Sequence, residues 1–86
     1  MPKAIYRHEH AVLIQLLRKI RCDAGLTQSK CAEAMGHPQS FMSDIEKGIR
    51  RLDLVQLRDL CAVLGYDLER FVGEYEKALA EGAENA

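Results

Sequence analysis

The chain has 86 residues, 48% of them hydrophobic, with two prolines and a formal net charge of −1. That length supports one domain with a single core, and the composition is too apolar for a disordered chain. No apolar run is long enough to span a membrane, and the opening MPKAIYRHEH lacks the apolar stretch and cleavage site of a secretory signal, so a cytoplasmic location is expected.

Gly25, Gly36, Gly48 and Gly65 each close a segment of helical periodicity, where a residue able to turn left-handed is needed. The first segment, about 8–24, carries Leu13, Leu16, Leu17 and Ile20 along one face. The second is short, 28–35, with Thr27 placed as its N-cap. The third, about 39–47, turns Phe41, Met42 and Ile45 inward. The fourth opens at Asp53, an N-cap with Gln56 three residues on, and buries Leu57, Leu60, Cys61 and Leu64. The fifth opens at Asp67 and carries Leu68, Phe71, Val72, Tyr75 and Leu79. No segment alternates with period two. The expected fold is all-α, a compact five-helix domain over 1–80, with 81–86 as a disordered tail.

Two of these helices, joined by a tight turn at Gly36-His37-Pro38, form a helix-turn-helix over about 27–48. The second places small polar side chains, Gln39, Ser40 and Ser43, near its leading end, where a helix entering the major groove of double-stranded DNA meets base edges. The charge is divided to match. Residues 1–58 hold ten basic and six acidic side chains, a net +4, whereas 59–86 hold two basic and seven acidic, a net −5. A basic front and an acidic rear allow a local electrostatic footprint.

Other chemistries find little support. Cys22, Cys31 and Cys61 are odd in number and widely spaced, so each reads as a small buried hydrophobe and not as part of a disulfide framework. His8 and His10 do not share a helix face, and no nearby ligand completes a metal set. There is no phosphate-binding glycine loop, nucleophile elbow or paired carboxylate, so neither catalysis nor a cofactor is expected.

The segment LRKIRCDAGLTQSKCAEAMG followed by PQSFMSDIEKGIRRLD resembles the Cro/repressor-like, or Xre-type, helix-turn-helix family over roughly residues 17–68. Its markers are Arg21, Gly25-Leu26-Thr27-Gln28, Ala32, Gly36, Ser40, Ser43, Glu46, Gly48 and Leu64-Gly65. The resemblance implies a lambda-repressor-like domain in a bacterial or phage transcription regulator that binds its operator as a homodimer, with no small-molecule effector evident. Gln28 falls at the family's phosphate-holding position, and helix N-termini suit that role. Gln39, Ser40, Ser43 and Asp44 fall where the recognition helix meets DNA. Gln39 is the best base reader, since a carboxamide can bond adenine at N6 and N7 together, while Ser40 and Ser43 suit either phosphate or bases. Lys47, Arg50 and Arg51 are expected on the sugar–phosphate backbone. In the family an arginine and a glutamate at the places of Arg21 and Glu46 pair inside the fold.

Pro38, His37 and Asp44 depart from the usual pattern. Proline suits a helix start, and His37 is expected partly exposed or close to DNA. Asp44 repels phosphate unless it accepts from cytosine N4 or is neutralised by a neighbour such as Lys47. On the fifth helix, Val72, Tyr75 and Leu79 have two fates, the core or the dimer interface. The leading reading is a homodimeric repressor of a near-palindromic operator. The rival is an antitoxin- or adaptor-like protein-interaction module with weak or no DNA binding, favoured by Asp44 and the acidic rear.

Overall fold

A computed structural model describes residues 7–85; the first six residues of the expected domain and the last residue of its tail lie outside that range. Five helices follow one another: α1 (His8–Asp23), α2 (Gln28–Ala34), α3 (Gln39–Glu46), α4 (Leu54–Val63) and α5 (Leu68–Asn85). The all-α expectation holds, with boundaries within a residue of those read from periodicity. One difference lies at the end, where α5 continues through Asn85, past the point where the tail was expected to begin. Alanine and glutamate, strong helix formers, dominate that stretch, so helix continues despite Gly82.

The caps show why the helices start where they do. The Thr27 hydroxyl accepts from the Lys30 N–H at 3.1 Å. Asp53 and Gln56 form a reciprocal capping box, with bonds of 2.7 and 3.1 Å. Asp67 accepts from the Arg70 N–H at 2.7 Å. Pro38 stands at the N-cap of α3 without a side-chain bond, its fixed φ of −73° already suited to a helix entry.

At the other ends, the four glycines predicted as left-handed closures all have positive φ, from 75° to 83°. Gly48 is the most constrained. Its φ is +83°, and a Cβ there would lie 3.2 Å from the Ile14 side chain. Gly48→Ala should therefore cost about 1–2 kcal/mol for the left-handed backbone alone, with crowding added. Gly36→Ala meets no atom within 4 Å and should cost the backbone term only. Urea unfolding of both variants checks the order.

α2 packs chiefly on α3, α1 on α5 and α3, and α4 on α5 and α2. Their inner faces meet in one core centred on Leu17, Met42, Ile45, Leu60 and Phe71, each at most 2% exposed. Cys31 and Cys61 join it, and burial pushes both thiols up, Cys61 to about 11. Cys22 corrects the expectation of a third buried cysteine. It is exposed, because Leu17, Ile20 and Arg21 take the inward side of α1 and Cys22 falls outside that arc. His8 and His10 also part, one exposed and one buried. Among the described residues, no helix is long and apolar enough to cross a membrane.

Candidate nucleic-acid interface

Gln28 opens α2 and Gln39 opens α3, and the tight α2–α3 turn brings the two side chains together. The Gln39 Nε2 donates to the Gln28 Oε1 at 2.9 Å. The Gln28 Nε2 donates to the Glu46 Oε1 at 3.0 Å. Glu46 in turn accepts from Arg21 Nε at 2.6 Å and Nη2 at 3.0 Å, while Arg21 Nη1 donates to the Leu26 carbonyl at 2.6 Å. The side chains of Arg21 and Glu46 are only 10% and 4% exposed, so the ion pair is interior, in keeping with the family pattern.

This chain of bonds has a direction. A carboxylate can only accept, so Glu46 draws the Gln28 NH₂ group toward itself and turns the Gln28 oxygen toward α3. That oxygen then requires a donor, which turns the Gln39 NH₂ group toward Gln28. Gln39 keeps its second amide hydrogen and its oxygen, the donor and acceptor needed to bond adenine N7 and N6. Burial pushes the Glu46 carboxyl up, but the bonds from Arg21 and Gln28 outweigh it and hold the carboxyl below its ordinary value. The bond to Glu46 raises Arg21 against the opposing effect of burial.

The remaining expected residues spread around α3. Gln39 and Ser40 are exposed, Ser43 and Asp44 are half-buried, and Lys47 is exposed at the C-cap. Asp44 makes no ion pair among the described residues, so the neutralisation by Lys47 is not formed. Its backbone carbonyl instead accepts from the N–H groups of Ile49 and Arg50 at 3.0 and 3.2 Å and closes the helix.

Arg50 and Arg51, read from sequence as one basic run, diverge. The Arg50 guanidinium lies over the Phe41 ring, 4.8 Å from its centroid. Arg51 lines a pocket with Arg7, Glu9, His10, Leu13 and Tyr75, on the side of α1 and α5. Burial, aided by the Arg51 charge, holds the His10 imidazole below its ordinary pKa.

Of the three residues weighed for a dimer contact, Val72 is exposed and Leu79 is half-buried. Tyr75 is half-buried against the core, and its hydroxyl donates to the Glu9 carbonyl at 2.9 Å. Sequence reasoning missed Leu54 and Val55, which are 67% and 69% exposed at the start of α4. The signal was present for Val55, which faces away from Leu57, Leu60 and Leu64; Leu54 is three residues before Leu57, in step with that stripe, and is exposed at the first position of α4.

The helix-turn-helix family matches residues 17–71. An XRE-family like protein from Pseudomonas syringae pv. tomato str. DC3000 is 36% identical, covering 80% of this chain and 84% of that one, with a TM-score of 0.76. The chain belongs to the XRE-type helix-turn-helix family. The clp gene regulator ClgR from Corynebacterium glutamicum is similar at 25% identity, over 92% of this XRE-type chain and 84% of its own, with a TM-score of 0.80. The restriction-modification controller protein C.Esp1396I shares the fold, with a TM-score of 0.79 at 22% identity, over 86% of this chain and 97% of its own. Comparison with curated protein sequences finds no match. At the level of the XRE family the chain is a DNA-binding transcription regulator.

Proposed function

We propose that this XRE-type protein is a homodimeric repressor that reads a near-palindromic operator through α3. The observation that carries the reading is the directed chain from Glu46 through Gln28 to Gln39, which leaves a donor and an acceptor at the leading end of α3. Gln39 reads a base, Ser40 and Ser43 contact bases or phosphate beside it, and Gln28, Lys47 and Arg50 hold the backbone, while Arg51, turned toward His10 and Tyr75, stands apart from them. Asp44 sits on the same helix and sharpens selectivity by accepting from cytosine where one is offered. Two copies meet through Val72, Tyr75 and Leu79 of α5, in a contact widened by Leu54 and Val55. Large apolar side chains exposed on α4 and α5 support such a contact. The two recognition helices then enter successive major grooves about 34–36 Å apart.

Selection of bound duplexes from a random library at about 0.15 M salt tests the reading, because that salt suppresses purely electrostatic retention. Enrichment of a near-palindrome is the expected result. Retention without enrichment would make the protein a non-specific backbone binder. No retention would leave a helix-turn-helix used for protein interaction. The dimer is tested separately by Val55→Asp and Val72→Asp. Each should shift sedimentation from dimer to monomer without loss of helix content, and an unchanged dimer in both variants would place the contact elsewhere.

A further inference from the structure

Phe41 stands in the first turn of α3 beside the exposed Gln39 and Ser40, yet it is only 4% exposed. Two side chains cover it. The His37 ring lies nearly parallel to it, with centroids 3.9 Å apart and an interplanar angle of 8°. The Arg50 guanidinium lies over the ring, 4.8 Å from the centroid. A parallel ring so close fills one face, so the guanidinium takes the other. Backbone geometry brings Arg50 there. After Gly48 turns left-handed, the Ile49 and Arg50 N–H groups both bond the Asp44 carbonyl and fold the chain back along α3.

The second such contact among the described residues supplies the contrast. Arg70 lies over Tyr66 at 4.3 Å, but it also donates to Glu74 at 3.3 Å, so its charge is answered within the protein. Arg50 is exposed and makes no ion pair among the described residues. Its guanidinium is therefore held over the Phe41 ring while no acidic side chain among the described residues pairs with it. A planar fork held in this way loses little further freedom on meeting a phosphate.

We propose that Phe41, backed by His37, is a positioning residue that holds Arg50 ready for a phosphate of the DNA backbone. The proposal rests on the DNA-binding reading above, and it makes part of the apparent core of α3 a component of the interface.

The test uses a mixed-sequence 24-base-pair duplex, because a phosphate contact does not depend on sequence. Affinity is measured by fluorescence polarisation from about 50 to 200 mM salt. Arg50→Ala should reduce the slope of log K against log salt by about 0.9, one phosphate contact. Phe41→Leu, with Arg50 intact, should weaken binding by about two- to fivefold, the scale of an exposed cation–π contact. The double variant should then bind no more weakly than Arg50→Ala alone. Losses that multiply would overturn the positioning role. Should Phe41→Leu fold poorly, Arg50→Lys keeps the charge without the planar guanidinium, and it should show the same two- to fivefold loss with the salt slope unchanged. Binding equal to wild type would overturn the proposal. In the DNA-free protein, the Arg50 side-chain protons should show ring-current shifts by NMR that vanish in Phe41→Leu; unshifted protons in the wild type would overturn it without reference to DNA. A wild type that binds no duplex overturns the DNA reading and the proposal together, whereas binding with multiplicative losses overturns the positioning role alone.

Discussion

Replacing Glu46 by alanine should remove about 3–5 kcal/mol of folding stability, the largest effect of any single substitution considered. The loss comes from what is left behind. Arg21 would keep its bond to the Leu26 carbonyl but would hold an uncompensated charge at a place where its side chain is 10% exposed. Gln28 would lose its acceptor as well. Small domains hold about 5–15 kcal/mol in total, so the variant should melt far below the wild type in urea. A double replacement, Arg21→Met with Glu46→Leu, should recover most of the stability, because removing both charges leaves no unpaired ion inside. It should not recover DNA binding, since Gln28 would have no carboxylate to orient it. A Glu46→Ala variant as stable as the wild type would show that the pair does not fasten the fold.

The same pair sets a pH dependence. Folding holds the Glu46 carboxyl below its ordinary value of 4.5, so the unfolded chain binds its proton more readily. The stabilisation is therefore complete above about pH 4.5 and is lost as the pH falls below it, through the lowered folded value. Urea unfolding from pH 7 to pH 3 should show a steeper acid loss in the wild type than in the double replacement.

Gln39→Ala should cost about 1–3 kcal/mol on the preferred operator and relax selectivity at a single base pair. The fold should be untouched, because the side chain is exposed and among the described residues bonds only Gln28. Gln28→Ala should mimic part of this loss, since Gln39 would no longer be held in one orientation. Competition binding against operators varied one base pair at a time separates the two. A loss equal on all sequences would remove Gln39 from the reading role.

Much of this was legible in the sequence, for identifiable reasons. Glycines at positive φ and short polar caps are local signals, and the corners at Gly25, Gly36, Gly48 and Gly65 fall where they were expected. The inward faces of α3 and α4 follow from helical periodicity alone. The Arg21–Glu46 pair was legible only through the family resemblance, because nothing local joins residues 25 apart in the chain. Other features depend on geometry that no spacing encodes. Arg50 and Arg51 are adjacent, yet an irregular backbone after Gly48 sends one toward Phe41 and the other toward His10. Cys22 sits between Arg21 and Asp23 and lies one step outside the buried arc of α1.

The short corners have a consequence for how the domain assembles. Only residues 35–38 separate α2 from α3, so that pair forms from neighbouring segments at little cost in loop entropy. α1 and α5 stand at opposite ends of the chain, and the bond from Tyr75 to the Glu9 carbonyl spans 66 residues. Closing that long loop is the slow entropic step in an otherwise local, fast-folding topology. The contact between the two end helices is thus the last to be fastened, while Arg21, through Glu46, ties α1 to the pair proposed to face DNA.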